Sequence, residues 1–106
     1  APSGTAIWLG EAAARGRQVS LTDVAQYNRM GPANERKKGN IGFASLRGGD
    51  IVGEHRVIFA GSSERIELGH IASSRKLFSK GAIRAAFWSS DRQPGLYDML
   101  DVLNLN

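Results

Sequence analysis

The 106-residue sequence predicts an α+β domain with one small sheet. Three observations carry that expectation. Apolar residues recur at helical spacing near both ends, over 5–15 and 75–88. Between them, over 41–71, the pattern alternates every second residue and is broken by Gly48-Gly49-Asp50 and Gly61-Ser62-Ser63. The apolar fraction of 42% against 23% charged is enough for one modest core and too high for wholesale disorder. The expected architecture is a mixed or antiparallel sheet of roughly four strands with helices on one face, the sheet assembling with copies of itself.

The first helix is expected over 5–15, with Ser3 as its cap, Gly16 as its stop, and Ile7, Trp8 and Ala12 as a buried stripe. Residues 19–29 are less regular: Thr22-Asp23 reads as a turn and Ala25–Arg29 as a short strand. Gly31–Asn40 is rich in Gly, Pro and Asn and reads as a loop. Ile41–Arg47, Ile51–Ala60 and Glu64–Ile71 then form a predicted three-stranded antiparallel meander. Ile51, His55, Val57 and Phe59 share one face of the middle strand; Val52, Glu54, Arg56 and Ile58 share the other. Ser73-Ser74 can cap a helix from Arg75 to Trp88 whose stripe is Phe78, Ala82, Ala85 and Ala86. Pro94-Gly95 ends it, and Leu96–Leu103 reads as a short terminal helical piece.

The middle strand carries apolar residues on both faces, and two helices cover only one face of a small sheet. Either a long loop or a second copy of the chain must cover the other, and the second copy is the simpler solution.

Several function classes are disfavoured. The chain has no cysteine, so it has no disulfide, thiolate nucleophile or thiolate metal site, in keeping with a reducing cytoplasm. His55 and His70 are the only histidines, far apart and without ligand spacing, so no metal is expected and hydrogen-bonded structural histidines are the default. No apolar run is long enough to span a membrane. The net charge of +4 has its clearest focus in Arg36-Lys37-Lys38. A nucleic-acid surface would interleave such charge with stacking aromatics; here a solvated loop is the commoner reading. Gly48-Gly49-Asp50 lacks dinucleotide-fingerprint spacing and precedes a strand rather than a helix, so the chain has no nucleotide-binding unit of its own.

Ser3-Gly4-Thr5 opens the first helix. Free N–H groups, hydroxyls and the positive end of the helix dipole meet there, so the turn can receive an anion or serve as a simple cap. From spacing alone the cap is the commoner outcome.

Six blocks, in order, cover nearly the whole chain: Ala1-Pro-Ser-Gly-Thr-Ala6, Ile41-Gly-Phe43, Arg47-Gly-Gly-Asp-Ile-Val-Gly-Glu-His55, Glu64-Arg-Ile-Glu-Leu68, Ala72-Ser-Ser-Arg75 and Pro94-Gly-Leu-Tyr-Asp-Met99. Together they resemble the C-terminal domain of the dihydrodipicolinate (4-hydroxy-tetrahydrodipicolinate) reductases of lysine and diaminopimelate synthesis. The block ending at His55 is the most specific. Asn34 stands where the family usually has Gly, and Gly69 where it usually has Thr.

The resemblance implies a division of labour. An N-terminal Rossmann domain holds NADH or NADPH, while residues 1–106 bind a cyclic dicarboxylate substrate and form a homotetramer through the sheet. The family's signature continues from a His- and Lys-bearing segment into Ala-Pro-Ser-Gly-Thr. This chain starts at that Ala, so no catalytic residue is expected within it and no cofactor for it alone. Ser3, Gly4 and Thr5 match the part that receives a substrate carboxylate. Arg75 and Phe78 match positions that approach the cofactor on domain closure; from the residues alone, Arg75 also fits a helix-start surface residue and Phe78 a core residue. The other function class left open is a non-enzymatic oligomerisation scaffold of the same fold without a ligand site.

Overall fold

The computed structural model describes residues 1–106, which divide into two compact units, Ala1–Ile71 and Ala72–Asn106. The α+β class is as expected, with several helices and two small sheets.

In the first unit, helix α1 spans Gly4–Gly16. Ser3 is its cap: the Oγ accepts from the Ala6 N–H at 3.2 Å, and the Ser3 carbonyl accepts from the Ile7 N–H at 3.0 Å. The far end departs from expectation. Gly16 remains helical and Arg17 caps the helix; the left-handed residue is Gln18, at φ 57°.

The buried face of α1 also differs. Gly10 and Ala14 are buried, whereas Trp8 is 73% exposed and Ala12 is exposed. Small residues win this face because Phe43 lies against it: a Cβ at Gly10 would overlap the Phe43 ring. That ring stacks on Tyr27, with centroids 4.9 Å apart and planes at 24°. A large side chain has no room where the helix meets this aromatic pair.

A single helical turn, α2 (Leu21–Val24), leads into strand β1 (Ala25–Gln26). β1 pairs in parallel with β2 (Ile41–Gly42), Ala25 opposite Ile41 and Gln26 opposite Gly42, and the Phe43 N–H donates to the Gln26 carbonyl at 2.9 Å. This corrects the predicted meander: the Ile41 segment pairs backward to β1, not forward to the next strand. Parallel pairing requires a long crossover, and residues 27–40 supply it. Gln26 helps to close it, its Nε2 donating to the Asn34 carbonyl at 3.1 Å, beside a short 3-10 helix at Pro32–Asn34. The Arg17 Nη2 donates to the Gly39 carbonyl at 2.9 Å, tying the end of the loop to α1.

Strands β3 (Gly53–Ala60) and β4 (Arg65–Ala72) form the second sheet, a hairpin closed by the Gly61 N–H donating to the Glu64 carbonyl at 2.8 Å. α1 packs against β3. His55 and Val57 are half-buried on one face, while Glu54, Arg56 and Ile58 are exposed on the other, the period-2 pattern of a strand covered on one side. On β4, Ile66, Leu68 and Ile71 are exposed. An exposed ion pair, Arg65 Nε to Glu67 at 2.6 Å, lies two residues apart on the same face and adds little stability.

In the second unit, α3 spans Lys76–Ser89. The expected Ser73-Ser74 cap is displaced: Arg75 is the cap residue and makes no side-chain cap hydrogen bond, while Ser74, one residue earlier, accepts from the Lys76 N–H through its Oγ at 3.2 Å. The more covered face is Gly81, Ala85 and Trp88, not the expected Phe78, Ala82 and Ala86, which are exposed. Past the helix, Arg92 lies 4.3 Å over the Trp88 ring, Tyr97 meets Trp88 edge-on at 5.1 Å, and the Tyr97 hydroxyl donates to the Gln93 carbonyl at 2.8 Å. This clasp returns the chain to α4 (Met99–Leu103), which packs on α3. α4 starts later than the sequence suggested because Asp98 and Asp101 form a reciprocal capping box there, and Val102 is its buried anchor. No helix is long and apolar enough to cross a membrane.

Candidate anion site at the start of the first helix

The start of α1 holds four backbone N–H groups that no helical carbonyl can reach. Ser3 Oγ takes the one from Ala6, and the Ile7 N–H reaches the Ser3 carbonyl. Gly4 and Thr5 are exposed, and nothing lies within 4 Å of where a Gly4 Cβ would point. Their N–H groups have no acceptor in the chain, nor does the Thr5 hydroxyl donate to one. Three donors are therefore without an acceptor at the positive end of a 13-residue helix dipole. No acidic residue lies in the first turn to compete for them.

Ser3 makes a second contact, across 52 residues: its Oγ lies 3.3 Å from His55 Nε2 on β3. The histidine is hydrogen-bonded, as its default reading held, but its partner is a residue of the candidate site. Sequence spacing carries no signal for this pairing. The only hint was His55's place at the end of the most specific sequence block.

Ser3 and His55 line a groove of about 1060 Å³ within the first unit, whose walls include Arg36, Lys37, Arg47 and Arg56. The basic loop thus does more than extend into solvent: it supplies one positively charged wall of this groove. Six cationic side chains line it against the carboxylates of Glu54 and Glu64, a field suited to a small anion.

Arg75 and Phe78 belong to the second unit, at the start of α3. The Arg75 carbonyl accepts from the Phe78 N–H at 3.0 Å; its side chain is exposed and forms no ion pair. Phe78 is 55% exposed, so within this chain it is not a core residue. His70 is exposed on β4.

Fold and site together define a small α+β chain with an open helix start and a hairpin whose second strand exposes apolar side chains. The chain belongs to the family described as dihydrodipicolinate reductase, C-terminus, whose family model matches residues 1–103. It is 60% identical over 105 residues to the 4-hydroxy-tetrahydrodipicolinate reductase of Dinoroseobacter shibae, covering 99% of this chain and 39% of that protein. It is 58% identical over 106 residues to the enzyme of the same name from Agrobacterium fabrum, covering 100% of this chain and 38% of that protein. The chain thus spans well under half the length of these curated relatives.

Proposed function

We propose that this chain is the substrate-binding and subunit-assembling domain of an NAD(P)H-dependent reductase acting on 4-hydroxy-tetrahydrodipicolinate in lysine and diaminopimelate synthesis. The observation that carries the reading is the pair of unclaimed N–H groups of Gly4 and Thr5, beside the Thr5 hydroxyl, with Ser3 already committed to Ala6 and His55. A ring carboxylate placed there accepts charge-assisted hydrogen bonds, each contributing on the order of 1.5–3 kcal/mol. The cationic groove beside it favours the approach of a dianion.

On this reading a Rossmann domain of the whole enzyme would hold NADH or NADPH, which would supply the hydride, while this chain's own residues bind and orient the ring. The Lys and His of the family signature assist loss of water and protonation. Arg75 and Phe78 approach the cofactor as the domains close, and their exposure leaves them free to do so. The exposed apolar side chains of β4 support assembly through the sheet into a homotetramer. The proposed setting is the cytoplasm, in keeping with the absence of cysteine.

Titration with pyridine-2,6-dicarboxylate, a planar mimic of the substrate, tests the site. Amide shifts centred on Gly4 and Thr5 are expected; no shift at millimolar ligand would favour the scaffold without a ligand site. Residues 1–106 alone, supplied with substrate and NADPH, are expected to show no turnover, and turnover would refute the assignment of chemistry to groups outside them.

A further inference from the structure

We propose that His55 is a positioning residue whose protonation sets how many hydrogen bonds the start of α1 offers an anion, so that dicarboxylate binding is coupled to proton uptake. The inference rests on reading that helix start as the carboxylate site. Its basis is the contact between Ser3 Oγ and His55 Nε2 at 3.3 Å, together with the Ala6 N–H bound to the same Oγ at 3.2 Å.

A serine hydroxyl has one proton to donate and two lone pairs to accept with. At Ser3 one lone pair is taken by Ala6. When Nε2 carries no proton, the Ser3 hydroxyl donates to it and has nothing left for a ligand. When the ring is an imidazolium, Nε2–H always donates, and it fills the second lone pair of Oγ. The Ser3 O–H is then free to turn toward a carboxylate at Gly4 and Thr5. The proton comes from solvent and stays on the ring; no bond to the ligand forms. From the neutral ring that carries its proton on Nδ1, protonation therefore adds one donor to the cradle and one positive charge behind it; from the neutral ring with Nε2–H, which already donates to Ser3, it adds the charge alone.

Among the charged groups lining the same groove, the cations favour a dianion but oppose protonation of the imidazole as like charges, whereas Glu54 and Glu64 favour the imidazolium. The crossover between β1 and β2 supplies Arg36, Lys37 and Lys38, the segment between β2 and β3 supplies Arg47, and the cap residue after α1 supplies Arg17. The hairpin supplies Arg56 against Glu54 and Glu64. A dianion entering this groove brings negative charge toward the imidazole and favours its charged form. By reciprocity the charged ring favours the dianion.

The test uses the protein at its natural length and pyridine-2,6-dicarboxylate as probe. Calorimetry is expected to show binding about tenfold tighter at about pH 5.5 than at about pH 8.5, one charge-assisted hydrogen bond being gained. His55→Asn keeps a hydrogen-bonding amide opposite Ser3 but cannot titrate, and is expected to bind with little pH dependence. Ser3→Ala keeps the imidazole and is expected to lose most of the slope as well. Titration of the probe itself would appear in all three curves. The His55 ring resonances are expected to titrate at higher pH with probe than without, a readout that needs no variant to fold. A purely structural His55 would weaken binding equally at every pH in His55→Asn. An unchanged slope in that variant, or no movement of the ring titration, overturns the coupling and leaves the carboxylate site standing. No perturbation of Gly4 and Thr5 at any pH overturns both.

Discussion

Replacing Gly10 by alanine sets two opposing effects against each other at one atom. In the middle of a helix alanine is more favourable than glycine by about 0.8–1 kcal/mol. At Gly10, however, the new Cβ overlaps the Phe43 ring, with Cε1 at 3.0 Å and Cζ nearer still. Ring movement would relieve the overlap, but it would cost the stack on Tyr27, a contribution of about 0.5–1.5 kcal/mol. Overpacking of this kind costs about 1–3 kcal/mol. The packing term exceeds the propensity term, and the expected outcome is a net loss of about 1 kcal/mol.

The internal control lies in the same helix. A Cβ at Gly16 meets nothing within 4 Å, so Gly16→Ala is expected to be neutral or to stabilise by up to about 1 kcal/mol. Urea or thermal unfolding under matched protein concentration separates the two variants, since 1 kcal/mol moves the midpoint by about 4–8 °C in a domain of this size. Removing the ring should abolish the penalty, so Gly10→Ala is expected to be harmless or stabilising in a Phe43→Ala background. The reasoning fails if Gly10→Ala is as stable as Gly16→Ala, or if its cost is the same with and without the Phe43 ring.

Thr5→Val removes one donor from the candidate cradle while keeping the side-chain shape; pyridine-2,6-dicarboxylate affinity is expected to fall about 10- to 100-fold, read by calorimetry. Asp98→Ala removes the capping box of α4 and is expected to cost about 0.5–2 kcal/mol, appearing as faster amide exchange at Leu100 and Asp101, whose N–H groups Asp98 accepts. Leu68→Lys places a charge on the exposed face of β4; light scattering is expected to show a smaller assembly than the unaltered protein, and an unchanged mass would remove that face from the interface.

Features set by near neighbours in the chain were legible in the sequence. Ser3 caps α1 and Gly61-Ser62-Ser63 turns the hairpin, because each depends on hydrogen bonds spanning only a few residues. The family was legible as well, because its blocks keep their residues and order. Of the candidate site, sequence placed Ser3, Gly4 and Thr5 at an open helix start, which the structure reproduces.

Three other features were decided only by the tertiary structure. The inward face of α1 is Gly10 and Ala14, with Ile7 half-buried, rather than Trp8 and Ala12, because the Phe43–Tyr27 pair leaves room only for a small group at Gly10. The Ile41 segment pairs with β1 and not with β3, because a short strand has two edges and local pattern does not say which neighbour takes them. Ser3 meets His55 because α1 packs on β3, bringing together residues that sequence spacing keeps 52 apart. Capping and turn chemistry are read within a few residues of where they act. Packing and strand pairing depend on which surfaces meet, and that is settled only once the chain has folded back on itself.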